Sequence, residues 1–454
     1  MTELLSLHSL VVVIGLLVFV LASHTMQQRR HPAAAIGWVL AIVFIPYVGL
    51  PLYLLFGTRK LVRFGRYPPF SPPRPNSAAD DVWPRQLAAT MGQPPVESYQ
   101  NLHIHADGAQ ALQALWEVID SADSELNLCS FILGRDVMGD ALVTRLISKA
   151  RAGIRVRLLL DGVGHVMGGS PDLRALESAG VQTALFVPLV HSPLKGRTNL
   201  RNHRKLVVAD GMRLWCGGRN FAAEYFEGTR NQGPWRDLTF DLNGPLARQA
   251  GELFEHDWAF ATSSPWAKIK RTTQAVPPFA QIIASGPDQC DDTVHAILVT
   301  ACFKARSRIV AATAYFIPSN EFLMALSLAA RRGVTVDLIL PARSNHRMAD
   351  LARHRALREL AAASARIWFV PYMLHAKAVV FDDVLALAGS ANIDARSLFL
   401  NYELMVAFYA AADVQRFASW IEGQREKSTR YEVRPPGLLR DLTEGLVLWL
   451  GFQL

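Results

Sequence analysis

A short word is written twice in this chain, and that duplication constrains the fold more than any other feature. The first copy runs His203, Arg204, Lys205, Leu206, Val207, Val208, Ala209, Asp210; the second runs His375, Ala376, Lys377, Ala378, Val379, Val380, Phe381, Asp382. Each copy reaches an Asn 17 residues after its His, in Gly217-Gly218-Arg219-Asn220 and in Gly389-Ser390-Ala391-Asn392. His, Lys, Asp and Asn recurring in one register imply two similar halves that build a single reaction centre.

The surroundings repeat as well. Residues 111–122 have helical spacing, 126–132 are strand-like and 140–152 are helical; Gly153 then breaks into a buried strand at 154–160. The second half follows suit with a helix at 293–305, a strand at 308–315, a helix at 321–332, the break at Gly333 and a strand at 334–340. Phe186-Val187-Pro188 and Phe369-Val370-Pro371 are a further equivalent pair. This is a duplicated mixed α/β unit with its boundary near residues 262–280. The first half carries an extra segment, 191–201, before its motif, which reads as a rim or substrate loop.

A length of 454 residues suits two or three domains. Hydrophobic residues make up 50%, enough for large cores and for something more at the N-terminus. There, residues 4–23 and 32–56 form two apolar runs, each about long enough to cross a bilayer, with Pro46 and Pro51 as kinks in the second. A secretory signal is the rival reading of the first run, but it lacks a basic leading region and a second run follows at once. Arg29 and Arg30 lie in the loop between the runs, against Arg59, Lys60, Arg63 and Arg66 after the second, which places the rest of the chain on the cytoplasmic side. Residues 67–95 are rich in proline and read as an extended linker. The C-terminal stretch, 437–454, reads equally as an interfacial helix or as one packed on the second half.

A net charge of +8 suits an anionic partner, nucleic acid or an anionic bilayer, and serves solubility as well. The four cysteines, Cys129, Cys216, Cys290 and Cys302, have no zinc-like spacing and read as free thiols of a reducing compartment.

The apolar, β-branched motif cores, 205–209 and 377–381, read as strands. In a strand, residues two apart share a face, so His203 lies with Lys205 and His375 with Lys377. Asp210 and Asp382 fall at odd spacing and should turn away, in a structural role despite their place in the motif. A neutral imidazole can attack phosphorus, and a protonated one can give a proton to the leaving oxygen. Lys and Asn stabilise the extra charge of a five-coordinate transition state. In-line displacement needs attacking and leaving groups on opposite sides of phosphorus, which two facing copies supply. One such word alone is more often ordinary surface; two with the same offset to Asn are not.

These words, HxKxxxxD followed by GSxN, resemble the phospholipase D superfamily, with Gly218 where Ser is frequent. Wider matches resemble its bacterial cardiolipin synthase branch: Trp38 to Gly57, Glu224-Tyr225, Trp235-Arg236-Asp237-Leu238, Tyr315 to Pro318, Asn392 to Ser397 and Asn401-Tyr402-Glu403. The resemblance implies an α/β fold of two tandem phospholipase D-like domains, mixed sheets flanked by helices, with the active site between them and an N-terminal two-helix transmembrane hairpin ahead. The expected parts are an anchor at 1–60, a linker at 61–96, domains at 97–265 and 266–430, and a C-terminal helix at 431–454.

The implied reaction is phosphatidyl transfer between two phosphatidylglycerol molecules, giving cardiolipin and glycerol through a phosphatidyl-histidine intermediate. His203 would be the nucleophile and His375 the acid/base. Lys205, Lys377, Asp210 and Asp382 complete the catalytic motif, and Lys205, Asn220, Lys377 and Asn392 hold phosphate. Family similarity assigns Asp237 to orient His203 and Glu403 to orient His375, with Ser390 and Arg396 supporting the phosphate site. No metal or other cofactor is expected, and His103 with His105 reads as strand surface. The partners implied are anionic phospholipids, phosphatidylglycerol above all, met by a membrane-embedded, multi-pass protein of the bacterial inner membrane. Hydrolysis to phosphatidic acid is the alternative. A nucleic-acid phosphodiesterase fits less well, because no basic and aromatic stripe is concentrated anywhere; a non-catalytic scaffold is disfavoured by two intact motifs.

Overall fold

The computed structural model describes residues 2–25, 32–57, 82–188, 199–229, 232–266, 276–433 and 435–450. Most of the expected rim segment, the end of the expected anchor and residues 61–81 of the linker lie outside these. Two sheets of like topology carry the molecule. The first has seven strands in the order Gln100–Ile104, Thr239–Asn243, Arg213–Gly217, Leu206–Ala209, Glu125–Ser130, Arg155–Asp161, Gln182–Phe186. The second repeats this order with Phe279–Ser285, Glu403–Phe408, Leu385–Gly389, Lys377–Phe381, Arg308–Thr313, Thr335–Pro341 and Arg366–Val370, and adds a short strand at each edge. Each motif strand runs antiparallel to its neighbour, with Val207 opposite Leu128 and Val379 opposite Ala311.

Local signals explain the helices that flank the sheets. Asp107 caps Gly108–Asp120 by accepting from Gln110 N at 3.0 Å, and Asp136 caps Val137–Arg151 through Gly139 N at 2.9 Å. Lys149 and Arg151 sit in the last turn of the second helix, where its dipole favours cations. Gly153 and Gly333, at φ +89° and +92°, then turn each chain into the next strand through a conformation that favours glycine.

One buried cluster runs through both halves. It joins Leu206, Phe240 and Phe254 of the first to Ala378, Phe408 and Phe417 of the second. Phe240 meets Phe408 at 5.3 Å and Phe417 at 5.9 Å, edge to face. Each such ring contributes about 1.5–3 kcal/mol by burial. The halves therefore hold a fixed relative position, which a site built between them requires.

The expected transmembrane hairpin, and with it membrane embedding and a multi-pass inner-membrane location, is overturned. Among the described residues, no helix is long and apolar enough to cross a membrane. The second run is split at Ile45 and Pro46 into helices Pro32–Phe44 and Pro46–Phe56, of 13 and 11 residues. The first forms Thr2–Thr25, but its uninterrupted apolar part, residues 10–22, would reach only about 20 Å at 1.5 Å per residue, against a hydrocarbon core of about 30 Å. These helices pack on one another, with Tyr53 against Phe19 at 5.2 Å and Trp38 at 5.5 Å.

The linker is also shorter than expected. Trp83–Thr90 is a helix whose Ala88 belongs to the second-half core, and Gln93 accepts from Ala284 N at 2.9 Å. At the C-terminal end, Leu438–Leu450 lies against the helix Arg347–Ala362. Buried Glu444 accepts there from Arg358 at 2.6 Å and from Arg440 at 2.9 Å, and Val447 packs with Ile317, Ala349 and Ala352.

Candidate active site

Each motif begins by crossing to the other half. A bridge pairs Asn202 with Tyr402, and another pairs Arg236 with Leu374. His203 N donates to Tyr402 O at 2.9 Å, and His375 N donates to Arg236 O at 2.6 Å. The residue after each bridge then meets its counterpart. His203 Nδ1 lies 3.0 and 3.1 Å from the two carboxylate oxygens of Glu403, and His375 Nδ1 lies 2.6 Å from Asp237 Oδ2. The pairing expected from family similarity, Asp237 with His203 and Glu403 with His375, is therefore reversed. The bridges are the physical reason: they set Tyr402-Glu403 beside Asn202-His203 and Arg236-Asp237 beside Leu374-His375, so each histidine is served by the opposite half.

Both carboxylates are fully buried. Burial opposes their ionisation, yet the charges and hydrogen bonds they face hold both below the usual carboxylate range: His375 and Lys377 for Asp237, His203 and Lys205 for Glu403. Each ring can thus donate from Nδ1, which leaves the lone pair of the neutral imidazole on Nε2.

Lys205 and Lys377 are buried beside their histidines. Lys205 Nζ donates to His203 O at 2.6 Å; Lys377 Nζ donates to His375 O and lies 2.8 Å from His375 Nδ1. Burial lowers Lys205 to about 7 and Lys377 to about 8, against the pull of Glu403 and Asp237. Burial also lowers His203, and it brings His375 to about 3 with Lys377 adding to the effect. Both lysines act electrostatically on both histidines. A phosphodiester anion placed between the two lysines would favour the charged form of both.

The two asparagines differ. Asn220 Nδ2 donates to the Tyr225 hydroxyl at 2.7 Å, and its Oδ1 is near Ile132 N at 3.4 Å. Asn392 is as deeply buried, but its Oδ1 has no hydrogen-bond partner among the described residues. Aromatic rings wall the centre: Phe131 stands 5.3 Å from the His203 ring, while Tyr225 and Trp235 stand 5.1 and 5.5 Å from the His375 ring.

Asp210 and Asp382 lie outside this cluster, contrary to their inclusion in the catalytic set. Asp210 accepts from the backbone N–H groups of Asp123, Ser124 and Glu125 at 2.8–2.9 Å, and Asp382 from those of Arg306, Ser307 and Arg308 over the same range. Each ties the turn after the motif strand to the start of the neighbouring strand.

Ser390 and Arg396 turn to protein partners. The Ser390 hydroxyl donates to Glu403, and Arg396 donates to the Asn199 side chain and carbonyl, each at 3.1 Å. His105 is buried rather than on a strand surface, with Nε2 3.2 Å from Asp241; His103 stays exposed. Among the described residues, no group of three or more His, Cys, Asp or Glu side chains is arranged to hold a metal ion. Sequence reasoning gave no role to Arg204, Asn401 or Tyr402, which surround Glu403; only the inter-half bridges would have pointed to them.

Residues 115–258 and 298–424 match a family described as cardiolipin synthase, PLD-like domain. The chain belongs to this family. Residues 11–57 also match a domain described as phospholipase D-nuclease N-terminal. Cardiolipin synthase A of Pseudomonas entomophila is 31% identical over 87% of this chain and 87% of its own length. Cardiolipin synthase of Geobacillus kaustophilus is 29% identical over 90% of this chain and 88% of its own. Among solved structures, phosphatidylserine synthase of Haemophilus influenzae shares the fold at a TM-score of 0.65 and 12% identity, covering 82% of this chain and all of that one.

Proposed function

We propose that this chain transfers a phosphatidyl group from one phosphatidylglycerol to another, forming cardiolipin and releasing glycerol. The observation that carries this reading is the crossed pair of histidines, each with Nδ1 on a buried carboxylate of the opposite half and a buried lysine beside it. The similarity to cardiolipin synthases over most of the chain supports the choice of donor and acceptor.

His203 Nε2 attacks phosphorus as the bond to the glycerol oxygen breaks. His375, protonated at Nε2, gives that oxygen its proton, so glycerol leaves neutral and a phosphatidyl-His203 intermediate remains. The headgroup hydroxyl of a second phosphatidylglycerol then gives its proton back to His375 and attacks phosphorus. The bond to Nε2 breaks, and cardiolipin leaves. Lys205, Lys377 and the amide groups of Asn220 and Asn392 bind the non-bridging oxygens, whose charge grows in both transition states. Resting His375 is neutral; the incoming phosphate anion draws Lys377 to itself and raises the basicity of the ring. Glu403 and Asp237 hold the rings and stabilise the cation formed on each.

Mass spectrometry of lipids after incubation with phosphatidylglycerol tests this reading. Cardiolipin together with glycerol is expected, and both disappear in His203→Ala and His375→Ala. Phosphatidic acid as the main product would instead make the chain a hydrolase.

A further inference from the structure

We propose that Arg204, with Asp257 as its counter-charge, is a positioning residue that holds Glu403 on His203. The inference rests on the two-histidine reading above. His203 and Lys205 face the centre, so the residue between them projects the other way. There the fully buried Arg204 guanidinium makes an ion pair with Asp257 of the first half. Its Nε donates to Glu403 O at 3.1 Å and its Nη2 to Ser285 O at 3.4 Å. Glu403 and Ser285 are register partners in adjacent second-half strands. Arg204 thus reaches from the first motif to the ends of two strands in the other half, with its guanidinium 5.3 Å from the centre of the Tyr402 ring.

Asn202 completes the clamp. Its Nδ2 donates to Asp257 at 2.9 Å, and its Oδ1 accepts from Arg204 N at 3.0 Å. The Glu403 side chain also accepts from Ser390 and Asn401, so the clamp secures the main chain of a carboxylate whose side chain is already fully engaged. A shift of about 1 Å would break the hydrogen bonds to His203, and misplacement on this scale can cost about 100-fold in rate. The second motif has Ala376 at the equivalent place, so only one of the two histidine–carboxylate pairs is anchored in this way.

The test follows glycerol release from phosphatidylglycerol by the full chain. Transfer and hydrolysis both release glycerol, so the assay reads the His203 step whatever the acceptor. The ratio of cardiolipin to phosphatidic acid reports separately on the proposed function. Arg204→Met combined with Asp257→Asn removes both buried charges together, and Arg204→Lys keeps the cation. The expected result is a kcat at least about tenfold lower for the double variant, with KM within about twofold of wild type, and partial recovery of kcat in Arg204→Lys. Activity is normalised to the folded fraction by thermal melting. Wild-type kcat per folded molecule in the double variant, or a loss carried wholly by KM, would overturn the assignment. No glycerol release by the wild type would overturn both readings.

Discussion

Gly218 is the position at which the smallest chemical change should most sharply expose the logic of the site. A Cβ there would stand 2.3 Å from Asp237 Oδ1 and 2.6 Å from Oδ2. That is at least about 1 Å inside van der Waals contact. Asp237 is fully buried and is bonded to His375 at 2.6 Å. Gly218→Ala must therefore displace the carboxylate, and a shift of about 1 Å takes that bond beyond hydrogen-bonding distance. Misplacement of this size costs about 100-fold in rate, and loss of a histidine-orienting aspartate about 10⁴-fold in a serine-protease triad. The expected fall in kcat for glycerol release is accordingly about 10²–10⁴, equivalent to about 3–5 kcal/mol. Overpacking should also lower stability by about 1–3 kcal/mol, so kcat is compared at a temperature where both proteins are folded. Ser390 is the matched control, because at this equivalent position the longer Glu403 leaves room for a side chain and accepts its hydroxyl. Ser390→Ala removes one of several donors and should cost only a few-fold. A Gly218→Ala variant within threefold of wild type, or one no worse than Ser390→Ala, would refute the reasoning.

Other outcomes follow from the same geometry. Asp210→Ala should lower stability by about 1–3 kcal/mol in denaturant titration, because three backbone N–H donors lose their carboxylate acceptor, while leaving kcat of the folded protein within about twofold. With Lys205 held to about 7 and Lys377 to about 8, the empty site loses positive charge as pH rises past these values. KM for phosphatidylglycerol should therefore climb between about pH 7 and 9, and a flat KM across that window would contradict phosphate binding by these lysines. His375 is lowered from 6.5 to about 3, so the unfolded chain binds more protons between these values. Its contribution to stability is complete above 6.5 and is lost as pH falls toward 3; in melting curves, His375→Gln should show a shallower acid dependence.

The duplicated motif made the architecture legible before any coordinates. Its strands lie at Leu206–Ala209 and Lys377–Phe381, and the fixed offset from His to Asn led to Asn220 and Asn392, both of which are buried. The partners of the histidines were legible as residues but not as pairs. Asp237 and Glu403 each stand closer in sequence to the histidine of their own half, and nothing local records that the bridges Asn202 to Tyr402 and Arg236 to Leu374 exchange them. Hydropathy misled at the N-terminus because it registers the apolar run but not the break at Pro46 that divides it. His105 was misjudged for a related reason. Alternation along a strand gave no sign that Asp241 on the neighbouring strand would make a buried place for it. Gly218, by contrast, was visible as a departure from the usual Ser, and the short Asp237 opposite it supplies the physical cause.

The proposed mechanism has two histidines from two halves share one phosphorus atom, with His203 as the nucleophile. It is tested most directly by trapping the intermediate. His203→Ala and wild-type protein are incubated with phosphatidylglycerol labelled at phosphorus, denatured under alkaline conditions that preserve phosphohistidine, digested and mapped by mass spectrometry. A phosphatidyl adduct on His203 is expected in the wild type, and none in His203→Ala. An adduct on His375, or product formation with no covalent adduct on either histidine, would contradict it.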